Sequence, residues 1–76
     1  MKIPEEFKAE FSSTMGSIFI KNEKIGQAQV MDIRGWGYLT GCGGLNMDPD
    51  EAAEVQDQFT AWVVETLNNA VKKEKE

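Results

Sequence analysis

The fold class predicted by the sequence is α+β, a two- or three-stranded antiparallel β-sheet packed by one long C-terminal α-helix. Two β-prone runs, Ser17 to Lys21 and Gln27 to Ile33, flank a short turn at Asn22 to Lys24 with Gly26 just beyond it, the pattern of a hairpin. From Asp48 onward, apolar residues recur at helical spacing behind a capping signature. Between hairpin and helix lies a link with five glycines from Arg34 to Gly44.

With 76 residues the chain has room for one domain, 1–76. A chain of this length buries only about 60% of the surface its unfolded form exposes, so its core is small and a staple or a partner matters. One cysteine permits no intrachain disulfide, and the absence of histidine removes every common zinc spacing, which leaves ordinary packing or oligomerisation. The hydrophobic share of 41%, with four Phe, two Trp and one Tyr, belongs to a folded domain rather than a disordered one. The start, "MKIPEEFKAEF", is charged and shows no signal peptide, and no stretch approaches the roughly 18 apolar residues of a membrane helix. A soluble protein of the reducing cytoplasm, with no membrane partner, is the expectation.

Charge is unevenly placed. Residues 1–47 carry five bases and five acids, whereas residues 48–76 carry eight acids and three lysines, so the whole net charge of −5 sits in the C-terminal part. An acidic helix repels phosphate, and no basic stripe elsewhere would release counterions from DNA. Direct nucleic-acid binding is not expected.

Taken in order, residues 1–14 form an N-terminal arm or short helix: the stretch from Phe7 to Phe11 suits either a helical turn after Pro4 or an extended arm. Residues 15–40 form the hairpin or sheet. In its second run the alternation of Ala28, Val30 and Asp32 against Gln29, Met31 and Ile33 is imperfect. "RGWGYLTG" keeps β-forming residues between glycines, either as a third short strand over 36–40 or as a kinked continuation that turns Trp36 onto the core. Residues 41–47 are a glycine-rich loop.

The helix spans 48–73. Asp48 is a good N-cap, Pro49 suits the first helical position, and Glu51 falls where a capping box requires it. Ala52, Val55, Phe59, Trp62, Val63, Leu67 and Ala70 form one stripe, with Glu54, Asp57, Glu65, Asn68 and Lys72 opposite. Ala53, Val64 and Val71 widen one shoulder of the stripe to roughly 200°, against the 100° or so that a single sheet covers. The predicted core sets Ile18 or Phe19, Ile20, Val30, Ile33, Trp36 and Leu39 against Val55, Phe59, Trp62, Val63 and Leu67.

Glycines before a helix raise the question of a phosphate site. Such a site needs free backbone N–H groups at the helix start and a Lys just inside it. Here the helix opens with "DPDE", whose cap occupies the donors, whose proline removes one, and whose carboxylates stand where an anion would bind. Neither GxGxxG nor GxxxxGK[ST] can be laid on these residues, so the glycines serve the chain reversal through their tolerance of positive φ.

Cys42 lies among the glycines without the histidine, basic neighbour or open helix end that activates a thiol, so an incidental free thiol is expected. Asp50, Glu54 and Asp57 fall on adjacent turns and Asp48, Asp50 and Glu51 crowd the helix start. These read as solvated caps, and the calcium-loop pattern is missing. No catalytic residue, metal or cofactor is expected.

Arg34, Trp36 and Tyr38 share a face if the strand is extended, where an arginine beside two aromatics suits a partner's side chain. The blander arrangement has Trp36 in the core and Arg34 paired with Asp32 or with the acidic helix.

"GWGYLTG" (Gly35 to Gly41), the glycine-rich link and "EAAEVQDQF" (Glu51 to Phe59) together resemble a group of short uncharacterised reading frames of bacterial and phage or prophage genomes, with a β-hairpin before a helix of Ala-Ala, aliphatic, Gln-Asp pattern. The likeness covers roughly residues 16–68, and the helix departs from it by continuing as "WVVETLNNAVKKEKE". It implies a fold and a genomic setting without an assigned chemistry.

The expected function is a non-enzymatic protein-interaction module that self-associates, most simply as a dimer, since an over-wide apolar stripe needs a second surface. Arg34, Trp36, Tyr38, Ala53, Val64 and Val71 are its candidate contact residues. The alternative is an acidic binder of a basic, nucleic-acid-binding partner protein, acting through Asp50, Glu54 and Asp57.

Overall fold

The structure, a computed structural model, describes residues 2–34 and 37–75. One turn of 3-10 helix, Glu5–Phe7, leads into β1 (Phe11–Thr14), β2 (Ser17–Asn22) and β3 (Gly26–Asp32), and the long helix α1 (Pro49–Lys75) closes the chain. The strands pair antiparallel in the order β1-β2-β3, and α1 packs across one face. The α+β expectation holds, and the predicted hairpin is β2–β3.

The third strand lies upstream of the hairpin, within the segment read as an arm or short helix. Residues 37–40 form a turn, and position 36 lies outside the described residues. The joint between β1 and β2 is the two residues Met15 and Gly16, both at positive φ, 52° and 81°. Two left-handed residues in sequence make the type I′ turn whose twist matches a hairpin. Gly16 is also required by space, because a Cβ there would run into the side-chain stem of Arg34.

Between β2 and β3 the turn is built by Asn22, whose Oδ1 accepts the N–H of Lys24 at 2.8 Å and of Ile25 at 3.2 Å. Further along, Ile18 pairs with Met31 but Phe19 pairs with Gln29, so Val30 is an extra residue in β3. That bulge explains the imperfect alternation: it shifts the phase by one residue and leaves Ala28 and Met31 on the same face, opposite Ile20 and Ile18.

The core is Phe11, Ile18, Ile20 and Val71, with Ala28, Val63, Val64 and Leu67 packed against it. Ile18 is fully buried and Ile33 nearly so. Each such side chain stabilises the fold by about 1.5–3 kcal/mol. The far face of the sheet carries Ser12, Lys21, Gln27 and Gln29 around a half-buried Phe19.

Polar joints set the helix in place. Asn68 accepts the backbone N–H of Phe11 at 2.8 Å and donates to its carbonyl at 3.0 Å. Gln56 donates to the carbonyl of Ile33, and the buried Thr60 hydroxyl donates to the carbonyl of Gln56 at 2.7 Å. At the helix start Asp48 caps as predicted, its Oδ2 accepting the N–H of Asp50 at 3.1 Å and of Glu51 at 3.4 Å. Near the other end Glu74 holds the N-terminal arm through the N–H of Ile3 at 2.9 Å and a 3.6 Å ion pair with Lys8.

The helix is rolled relative to the predicted packing. Val71, expected on an exposed shoulder, is 5% exposed in the core, Val64 is half-buried against it, and of that shoulder only Ala53 is exposed. Phe59 and Trp62, expected in the core, are 44% and 60% exposed. Asn68, expected on the solvent side, faces β1. Val30 is exposed at the bulge, while Ile18, Ile20 and Ile33 are core as predicted. The sheet has taken the shoulder of Val64 and Val71 and left the opposite shoulder open.

Candidate protein-interaction surface

The open shoulder belongs to the N-terminal half of α1. Phe59 and Trp62 lie three residues apart, hence on neighbouring turns of one face, with ring centroids 5.8 Å apart and planes tilted by 31°. Their contact orients the indole without covering it.

Beside this pair is an apolar cavity of about 180 Å³ lined by Ile33, Tyr38, Leu39, Val55, Gln56 and Phe59. Helix and link each supply part of its wall. Gln56 has its amide spent on the Ile33 carbonyl, so what the cavity offers is carbon. Tyr38 stands at its edge, 67% exposed.

The link holds its shape by hydrogen bonds within itself. The N–H of Leu45 donates to the carbonyl of Tyr38 and that of Met47 to Leu39, both at 2.7 Å, while Gly41 donates to Gly37 at 2.8 Å and Gly44 to Gly41 at 2.9 Å. Gly44 passes so close to the carbonyls of Gly37 and Tyr38 that a Cβ would collide with both. These backbone donors are used internally, and the glycines perform a tight reversal that presents Tyr38 and Leu39 to the helix. The expected reason, positive φ, does not apply to the described link glycines, of which Gly41 and Gly44 are required by close backbone approach instead.

Of the residues singled out from sequence, Arg34 is committed elsewhere. Its side chain pairs with Asp32 through Nε at 3.2 Å and Nη2 at 3.1 Å, and its backbone N–H donates to the same carboxylate at 2.9 Å. The guanidinium hydrogen bond, followed by the backbone one, holds the Asp32 carboxyl below its ordinary range, and the Arg34 value is raised in turn. Trp36 lies outside the described residues. Arg34 and Tyr38 sit in turns rather than on an extended strand, and the pairing of Arg34 with Asp32 is the blander of the two arrangements. The structure brings Tyr38 to Phe59, a pairing that linear alternation does not suggest.

Cys42 is exposed on the link. Among the described residues no group of three His, Cys, Asp or Glu is placed to hold a metal ion, and no helix is long and apolar enough to cross a membrane. Asp50, Glu54 and Asp57 stand exposed on α1.

No protein family, curated protein or solved structure matches the chain.

Proposed function

We propose that this chain is a small, non-enzymatic protein-interaction module of the cytoplasm that self-associates as a dimer through the Phe59–Trp62 flank of its helix. One observation carries the reading: Phe59 and Trp62, 44% and 60% exposed, touch each other at a tilt, and Phe59 lines an apolar cavity that the chain's own sheet does not fill. Aromatic anchors beside an apolar hollow are what protein interfaces concentrate at their centres. The helix has more apolar width than its sheet covers, and the uncovered part lies on the shoulder opposite Val64 and Val71.

Light scattering over a concentration series tests this. A mass near twice 8.5 kDa that persists on dilution, and falls to the monomer value in Trp62→Ser without loss of helical signal, is the expected outcome. A strict monomer at every concentration would overturn it.

A second reading keeps the acidic binder of a basic, nucleic-acid-binding partner. It is favoured by Asp50, Glu54 and Asp57, which are exposed on successive turns and hold no ion pair among the described residues. Its signature is salt-sensitive capture of a basic protein that is lost on charge reversal of the three.

A further inference from the structure

Along the exposed flank of α1 an acid and a base stand at equal distances on either side of Trp62. Eleven residues toward the N-terminus stands Glu51, and eleven residues toward the C-terminus stands Lys73, both exposed. Eleven residues make about three full helical turns, so Glu51, Trp62 and Lys73 fall on nearly one line along the helix, with the two charges each roughly 16 Å from the indole. Val55 and Phe59 lie on the same flank between Glu51 and Trp62, and Thr66 lies between Trp62 and Lys73.

We infer that the occupant of this flank is a second copy of the chain, docked with its helix antiparallel about a two-fold axis through Trp62. The inference rests on the self-association proposed above and specifies its geometry. A two-fold at Trp62 sets each residue against the one equally far on the other side. Trp62 then meets the partner's Trp62, and Glu51 of each copy meets Lys73 of the other, giving two identical ion pairs from one symmetry operation. A parallel pairing would set Glu51 against Glu51 and Lys73 against Lys73, which is repulsive at both ends. Antiparallel helices also place the positive end of each macrodipole beside the negative end of its neighbour. The side chains are free for this use: neither Glu51 nor Lys73 has an ion-pair partner among the described residues, whereas Lys8 and Arg34 do.

The test uses complementary charge variants of the full chain, Glu51→Lys and Lys73→Glu, by analytical ultracentrifugation. Each variant alone places like charges at both ends of the two-fold, so its self-association should weaken by roughly tenfold. Mixed in equal amounts, the two variants restore opposite charges at both ends of a heterodimer, and the dimer should return to near the strength of the unaltered chain. Because the mixture contains the same chains that fail separately, a folding defect cannot imitate the recovery, and circular dichroism of each variant checks that both are helical. An unaltered chain that dimerises while the variants dimerise equally well, or while the mixture does not recover, overturns the antiparallel geometry and leaves self-association standing. An unaltered chain that stays monomeric overturns both.

Discussion

The two halves of α1 treat apolar surface differently. In the C-terminal half, Val63, Val64, Leu67 and Val71 go to the sheet, and Asn68 fastens that contact to the backbone of β1. In the N-terminal half, Ala52, Gln56 and Thr60 face inward, while Phe59 and Trp62, the largest side chains of the helix, face out. Packing against the sheet is concentrated at one end of the helix, and exposed aromatic surface lies toward the other. The division is economical for a short chain, since a small sheet cannot cover 27 residues of helix along their whole length.

Substitutions can break or sharpen this contrast, beginning with the largest effect. Ile18→Ala removes a fully buried side chain from the centre of the sheet and should cost about 3 kcal/mol, enough to leave much of the chain unfolded at 37 °C by thermal denaturation. Trp62→Ser, which deletes far more carbon, should leave unfolding within about 0.5 kcal/mol when measured on the monomer at high dilution. If the second loss matched the first, recognition and stability would not be separable along the helix.

Asn68→Ala should cost about 2 kcal/mol, because the N–H and C=O of Phe11 both lose their partner in a partly buried place. Chemical denaturation reads this directly, and a change within error would mean that water replaces the amide. Met15→Asn should act in the opposite direction, raising stability by about 1 kcal/mol, since methionine at a φ of 52° carries a strain that asparagine tolerates. An unchanged or lowered denaturation midpoint would show that the exposed methionine compensates through a contact of its own.

The smallest effect is that of pH on Asp32. Its carboxyl titrates below its ordinary value in the folded chain because of Arg34, so between the two values the unfolded chain binds more protons and stability rises with pH. The contribution is present at neutral pH and is lost as the pH falls from about 4, the ordinary aspartate value, through the depressed one. Compared with the unaltered chain, Asp32→Asn should therefore be less stable at pH 7 and equal to it in strong acid. A difference that persists at the lowest pH would assign the effect to packing of the Arg34 stem over Gly16 instead.

Much of the fold was legible in the sequence, and what was not has identifiable causes. Asp48, Pro49 and the lysines of the last turn mark the helix ends by local chemistry, and Asn22 with Gly26 marks the hairpin in the same way. β1 escaped because it is four residues long and its turn uses Met15 where an asparagine would have signalled a type I′ joint. The roll of α1 escaped for a different reason. A stripe about 200° wide leaves two shoulders that periodicity cannot rank, and the choice between them was made by Gln56, Thr60 and Asn68, polar residues whose hydrogen bonds lie on the buried side. Their amides and hydroxyl read as solvent-facing in any hydrophobic pattern. The exposed apolar flank was misplaced with the roll: Val71 was expected outside and Trp62 inside, and one rotation of the helix corrects both.

The Asn68 clamp also bears on how these chains can accumulate. A strand edge with free N–H and C=O groups invites another strand to join it, and repetition of that step is the route to fibres. At Phe11 both groups already belong to the helix, and on the opposite edge the bulge at Val30 interrupts the regular spacing that an incoming strand would need. Growth by strand addition is thus impeded at both margins of the sheet. The helix-to-helix dimer proposed above uses neither margin, and its two-fold axis would end growth at two copies.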